Sequence, residues 1–385
     1  MTTPGIPGIP GAAYAMRIAS AQAAARAHGV GALLIGVGPE LEWLTGYEAK
    51  PLERLTMLVV PAEGDAAIVT PRLEVAAAEQ APGIGSGGVR IRSWLETEDP
   101  VDLVWESVSP GPGARLVVSD TLRAAFLLRL QAAFPDATFD IAGPVVGPLR
   151  RAKDGAEVAL LRAAAQAADR VVTALAAGRL VGRSEADVAA EVRARLVAEG
   201  HDSASFWIVA SGPRSASPHH EPDDRVIGAG EPLLLDIGGR LGGYSSDITR
   251  TFWVAGEKGT GPDDTFRAIH DLVHRANQAG TVAVRPGVPA QVLDRTARAV
   301  IEAAGYGAAF FHRLGHGIGL EGHEDPYLVE GNESPLVVGD AFSIEPGVYL
   351  EGRYGVRIED IVVCAEDGPD VLNEAARELQ VVSGL

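Results

Sequence analysis

The apolar positions at the start of this chain read as helix, then strand, then hairpin. Ala13 to His28 has helical composition and leads through Gly29 into Val30 to Val37, an apolar run of strand length. Leu55 to Pro61 and Ala66 to Thr70 alternate about Glu63-Gly64-Asp65, which predicts a hairpin. Val89 to Trp94 and Arg115 to Ser119 predict further strands, separated by helix-like runs. Residues 1–150 thus predict an α/β domain that begins with a mobile proline/glycine arm over 1–12. They contain no His, Cys or acidic cluster at ligand spacing, so scaffold or substrate-gating cover is the expected role.

Near residue 150 the pattern changes. A charged link, Leu149 to Gly155, leads into an alanine-rich helix whose Leu161, Ala164, Ala168, Val171 and Leu175 keep one face apolar. Ser184-Glu-Ala-Asp187 resembles a capping box and starts a second helix carrying Val188, Val192 and Leu196, closed by Gly200. After a Gly/Pro/Asp break at 258–264, Phe266, Ile269, Leu272 and Val273 start a third helix. Val292 to Ala304, with Gly305 behind it, predicts a fourth. Gly182 and Gly287 are 105 positions apart, as are Gly200 and Gly305. Residues 151–385 therefore predict a duplicated α+β domain, each half running helix, helix, strand, hairpin.

Each predicted hairpin carries two carboxylates. In Leu233 to Thr251, a turn centred between Leu241 and Gly242 would make Asp236 and Asp247 cross-strand neighbours, about 5 Å apart at Cβ. Two bare carboxylates that close repel each other, and a divalent cation held by oxygen ligands is the usual compensation. In the second hairpin Gly352 lies midway between Glu345 and Glu359. Asp236 to Glu345 spans 109 positions and Asp247 to Glu359 spans 112, so the acidic pairs repeat along with the helices. Between the hairpins runs His312-Arg-Leu-Gly-His316-Gly-Ile-Gly-Leu-Glu-Gly-His323, whose glycines let imidazoles approach closely. The candidate site is four carboxylates and one to three histidines, shared by two halves related by a pseudo-twofold.

Composition narrows the function. A chain of 385 residues, 46% hydrophobic, buries two cores. Its net charge of −18 excludes nucleic acid and anionic membranes as partners, because phosphates would be repelled. The single cysteine, Cys364, excludes an intramolecular disulfide and fits a small buried apolar residue on a strand. The N-terminus lacks a cationic segment followed by an apolar core, and no window reaches about 18 uninterrupted apolar residues. The expected location is the cytoplasm.

Six motifs carry a resemblance. Leu-Leu-Leu-Asp236-Ile-Gly-Gly, Ser-Asp247-Ile-Thr-Arg-Thr-Phe, Gly-His316-Gly-Ile-Gly-Leu, His323-Glu-Asp-Pro, Ile-Glu345-Pro-Gly-Val-Tyr and Gly-Val-Arg-Ile-Glu359-Asp are similar to those of the pita-bread metallopeptidases. Within that group they resemble the Xaa-Pro peptidases, prolidase and aminopeptidase P. The similarity covers about 150–380, and Arg17 to Tyr47 resembles the group's smaller N-terminal domain. It implies two divalent ions, with Asp236 on one, Asp247 and Glu359 bridging, and His316 and Glu345 completing the second. Oxygen-rich ligation with one imidazole suits Mn²⁺, with Co²⁺ or Zn²⁺ as substitutes.

Further roles follow from the resemblance. Glu345 is the general base, and His323 stabilises the tetrahedral intermediate or passes a proton to the leaving nitrogen. His219 contacts the substrate beside the metals, and His312 lines the pocket for the residue after the scissile bond. His220, His270 and His274 are structural by their positions, and His28 and His201 carry no functional signal. The implied partners are small proline-containing peptides, and the expected assembly is a homodimer. The implied reaction is hydrolysis of the bond before proline, leaning towards a dipeptidase over aminopeptidase P. A catalytically inactive peptide-binding module would have lost ligands, and all five positions are filled. A dipeptidase must meet a free carboxylate. Arg357, two residues before Glu359 on a strand, is a candidate anchor or else a charge partner of Glu359, and Arg353 at the hairpin tip is a solvated turn residue or else folds over the pocket.

Overall fold

The computed structural model describes residues 8–85, 88–255 and 261–383. It divides into two compact units, one formed by Ile9–Arg150 and the other containing Arg151–Leu385.

The first unit is a six-stranded sheet flanked by helices. Its strands are β1 (Ala32–Ile35), β2 (Met57–Pro61), β3 (Ala67–Pro71), β4 (Arg90–Trp94), β5 (Arg115–Val118) and β6 (Thr138–Ile141), in the order β4-β3-β2-β1-β5-β6. β2 and β3 form the expected hairpin, pairing Leu58 with Ile68 and Val59 with Ala67 around Gly64, whose φ is +100°. The first helix, Gly11–Ala27, takes in the end of the expected proline/glycine arm. Residues 1–7 of that arm lie outside the described residues. β6 has no sequence signature. It is an edge strand whose residues are largely solvent-facing, so it shows no apolar alternation.

The second unit repeats itself. Helices Gly155–Ala176 and Glu185–Ala198 precede β7 (Ser203–Ser211), β8 (Glu231–Leu241), β9 (Tyr244–Ser245) and β10 (Ile248–Val254). Helices Asp264–Val282 and Ala290–Ala303 precede β11 (Gly315–Gly317), β12 (Glu324–Leu328), β13 (Ala341–Ile344), β14 (Gly347–Leu350), β15 (Tyr354–Arg357), β16 (Asp360–Ala365), β17 (Gly368–Val371) and β18 (Val381–Val382). The first helix is capped by Asp154 and the second by Ser184, each in a reciprocal capping box. The Gly/Pro/Asp break is described only from 261 onward, where Asp263 caps the third helix.

Small features recur in both halves. Gly182 N–H donates to Ile227 O (3.0 Å), and Gly287 N–H to Leu336 O (2.8 Å). Ser184 bridges Val226 as Pro289 bridges Pro335. Gly200 and Gly305 close their helices with φ of +109° and +85°. Each half packs its own apolar core, around Val172, Val192 and Leu235 in the first and Val273, Leu293 and Phe342 in the second.

The two hairpins differ in how they meet the expected register. In the second, β14 pairs with β15 (Gly347 with Arg357) and β13 with β16 (Ile344 with Asp360), placing Glu345 opposite Glu359 in a break between the two ladders. Pro346 has no N–H to continue the ladder there. In the first, Arg240 pairs with Ser245, Leu241 with Tyr244 and Asp236 with Thr249. The turn therefore centres on Gly242-Gly243, with φ of +57° and +85°, and not between Leu241 and Gly242. A two-residue type I′ turn needs positive φ at both central residues, which Leu241 resists and two glycines allow. The expected Asp236–Asp247 pairing is thus displaced by two residues. A slip of two preserves facing, so both carboxylates still leave the sheet on one side.

Candidate metal and peptide site

Asp236, Asp247, His316, Glu345 and Glu359 meet in one cavity of about 740 Å³, whose walls also carry His219, His312, His323, Arg313 and Arg357. β8 and the segment before β10 bring the two aspartates. The break in the second hairpin brings the glutamates, and β11 brings His316. Glycine is required on both sides of His316. A Cβ at Gly315 would lie 1.9 Å from Ser343 O, and one at Gly317 would lie 2.4 Å from the backbone of Asp325. These glycines thus admit the neighbouring strands, a different reason from the close approach of imidazoles read from the sequence.

The halves are stitched together at the carboxylates. Thr249 Oγ1 donates to Glu359 Oε2 (2.6 Å), and Glu359 N–H donates to Thr249 O (3.1 Å). Ser343 Oγ donates to Glu345 Oε1 (3.1 Å). Asn277 Nδ2 donates to Ile344 O (2.8 Å) and Ile358 O (3.3 Å), satisfying the carbonyls just before both glutamates where the ladder is broken.

Arg250 is 2% exposed and reaches across the same seam. It donates to Glu359 O (2.6 Å), Asp360 Oδ1 (2.7 Å) and Ala375 O (2.8 Å). Arg250→Met should cost about 3–5 kcal/mol, the range for removing one partner of a buried ion pair. Denaturant unfolding would read it as a lowered midpoint, and an unchanged midpoint would contradict the bracing role.

The donor set fits divalent cations. One atom each of Asp247, His316 and Glu359 lie within 4.8 Å of one another. His316 Nδ1 donates to Gly317 O (3.1 Å), which leaves Nε2 as a lone pair 3.4 Å from Glu345 Oε1 and 3.7 Å from Asp247 Oδ2. Burial, followed by the neighbouring His323, lowers the His316 pKa to about 3, so the imidazole is neutral. A lone pair facing two carboxylate oxygens is repulsive unless a cation sits among them. Burial, then Glu359, Asp236 and Glu345, push the Asp247 carboxyl well up. Burial, then Glu345 and Asp236, do the same to Glu359. Asp236 Oδ1 is buried without a hydrogen-bond partner among the described residues. Four confined acids, one orphaned oxygen and one inward lone pair are what bound divalent metal would satisfy.

The histidines differ in what holds them. His312 Nδ1 donates to Arg313 O (2.7 Å) and its Nε2 accepts from Tyr349 OH (2.9 Å), so both nitrogens are engaged. His323 stands edge-on to His316, ring centroids 4.0 Å apart. Burial, then Arg313, lower its pKa. His220 is held by Glu185 at 2.7 Å, and His201 by Leu196 O and Ser246 Oγ; neither lines the cavity, nor does His270 or His274. Glu185 also accepts from Ser211 N–H (2.8 Å) and Arg214 (3.2 Å), tying down the segment that leads to His219. Burial pushes the Cys364 thiol up to about 11, as for an inert core residue.

The structure corrects both readings of Arg357, and of the two readings of Arg353 it fits the solvated turn residue. Arg357 Nη2 binds Asp236 Oδ2 (2.5 Å), Nη1 donates to Tyr349 OH (2.7 Å) and Nε to Thr249 Oγ1 (3.1 Å). Its fork is occupied by the protein, so it does not present itself to a substrate carboxylate, and its charge partner is Asp236 instead of Glu359. Arg353 stacks on Tyr354 at 5.2 Å, exposed at the hairpin tip, and is absent from the cavity wall. Sequence reasoning missed Tyr349, Thr249, Ser343 and Asn277. Tyr349, Thr249 and Asn277 act through contacts to distant segments, and Ser343 through a hydroxyl two residues from Glu345 that carries no signal of its own.

Residues 159–366 match metallopeptidase family M24, and residues 17–152 match the creatinase/prolidase N-terminal domain. The probable dipeptidase PepE of Mycobacterium bovis is 44% identical over 370 residues, spanning 96% of this chain and 96% of that protein. The Xaa-Pro dipeptidase of Lactobacillus helveticus is 34% identical over 349 residues, 89% of this chain and 92% of its own length. The crystal structure of dipeptidase PepE from Mycobacterium ulcerans matches with a TM-score of 0.91 at 43% identity, covering 97% of this chain and 99% of that one. The chain belongs to metallopeptidase family M24. The resemblance read from the six motifs is borne out, and with it the pita-bread fold and a hydrolase that works with divalent metal. No helix among the described residues is long and apolar enough to cross a membrane.

Proposed function

We propose that this chain is a dipeptidase that cleaves the peptide bond preceding proline, with residues 151–385 as its catalytic domain and 1–150 as a creatinase/prolidase-like companion domain. One observation carries the reading: a neutral His316 aims its lone pair at Glu345 and Asp247 within a cavity that also holds Asp236 and Glu359. Two relatives that span nearly the whole chain are named dipeptidases, which favours a dipeptidase over aminopeptidase P.

Asp236, Asp247, His316, Glu345 and Glu359 would hold two ions, and the oxygen-rich set with a single imidazole favours Mn²⁺. When bound, such ions supply Lewis acidity and lower the pKa of water. The chain supplies the rest. Glu345 accepts a proton at Oε2, which receives no hydrogen bond from the described residues, while Ser343 holds Oε1. Arg357 fixes Asp236 against the cavity wall. The proton that Glu345 takes up is passed to the leaving imino nitrogen by way of His323, whose ring has no hydrogen-bond partner among the described residues. His219 meets the substrate, and His312, pinned by Tyr349, forms wall without moving protons. The working form is a cytoplasmic homodimer, an assembly that light scattering would check.

The test is a substrate panel on Mn²⁺-loaded protein. Xaa-Pro dipeptides should be cleaved with higher kcat/KM than Xaa-Pro-Yaa tripeptides or dipeptides lacking proline. Tripeptides cleaved as well as dipeptides would favour aminopeptidase P, and indifference to proline would overturn the proline specificity.

A further inference from the structure

A dipeptidase must recognise a carboxylate one residue after the scissile bond, and the cavity wall carries two guanidinium groups. Arg357 is committed to Asp236, Tyr349, Thr249 and Pro218. Arg313 is not committed. Among the described residues its guanidinium has neither a hydrogen-bond nor an ion-pair partner, although it lines the cavity beside His312, His316 and His323. It is half-buried and lies over the Tyr327 ring, Cζ 4.5 Å from the centroid. A guanidinium held over a ring by cation–π attraction keeps its forked N–H donors available to a ligand. The backbone below is fixed as well, since Arg313 O accepts from His312 Nδ1.

We propose that Arg313 is the specificity-determining anchor for the free C-terminal carboxylate of the dipeptide, held in readiness by its stack on Tyr327. The proposal rests on the dipeptidase reading above and names the group that produces it. A carboxylate takes two parallel charge-assisted hydrogen bonds from the fork, whereas the amide that continues a longer peptide offers one neutral oxygen. Length selection then arises from a difference in binding, without a steric plug at the end of the cavity. One neighbour suits a proline held this way. Phe311 is 65% exposed on the same wall and packs at a tilt against Tyr349 with ring centroids 5.4 Å apart, offering an apolar surface to the pyrrolidine ring.

The experiment compares Ala-Pro with Ala-Pro amide on Mn²⁺-loaded wild type, Arg313→Gln and Arg313→Lys, with calorimetric binding of L-proline and L-prolinamide alongside. Arg313→Gln should raise KM for Ala-Pro about 10- to 100-fold, the loss of a charge-assisted pair, with little change for the amide. Arg313→Lys should fall between, because it keeps the charge and loses the fork. L-proline should bind the wild type more tightly than L-prolinamide, and Arg313→Gln should remove that difference. Equal losses on acid and amide, or no loss on either, would overturn the assignment. If the wild type cleaves Ala-Ala but not Ala-Pro, the proline reading fails. The same acid-against-amide comparison on Ala-Ala then still decides the role of Arg313.

Discussion

Asp247→Asn is expected to lose metal and turnover together. Asp247 is 6% exposed, faces the His316 lone pair, and shares its space with Glu359. An asparagine of the same shape keeps one carbonyl oxygen but removes the negative charge that offsets divalent cations, so at least one ion should leave. Ligand binding to the folded state at 100 times Kd contributes about 2.7 kcal/mol, and that linked stability should disappear with it. The comparison is between wild type and variant in mass-spectrometric metal content, thermal midpoint with and without Mn²⁺, and Xaa-Pro hydrolysis. In metal-free buffer the variant should be no less stable than the wild type, because a mutual repulsion has been removed. Full occupancy with unchanged turnover would sink the ligand assignment.

His323→Ala should separate chemistry from metal binding. The ring touches His316 edge-on and has no hydrogen-bond partner among the described residues, so its removal breaks no bracing contact. If it hands a proton to the leaving nitrogen or steadies the tetrahedral intermediate, kcat should fall about 10²- to 10⁴-fold. Metal content and KM should stay near the wild-type values. A raised KM with unchanged kcat would instead make His323 a ground-state contact.

What the sequence exposed, and what it hid, follows from the range of the interactions. Capping at Ser184, the glycine stops at Gly200 and Gly305, and the spacing of Glu345 and Glu359 about Gly352 are local, and each is found where the residues place it. The first hairpin shows a limit of local reading. Several glycines near its tip allow more than one turn, and only the pair Gly242-Gly243 satisfies the primed geometry. The metal-facing side was legible anyway, because facing depends on parity and not on exact register. The arginines were misread for another reason. Arg357 and Asp236 are separated by 121 residues, so sequence shows the charge without its partner. Arg313 lies inside a histidine motif, and nothing in the sequence reveals that, among the described residues, it alone of the two cavity arginines lacks a protein acceptor.

Titrating metal-stripped protein with Mn²⁺ while following bound metal and Ala-Pro hydrolysis tests whether two divalent ions occupy the carboxylate cluster and are needed for cleavage before proline. Saturation is expected at about two ions per chain, with activity appearing only as the sites fill, as for a dinuclear hydrolase. Full turnover by the stripped protein, or saturation with no ion retained, would contradict it.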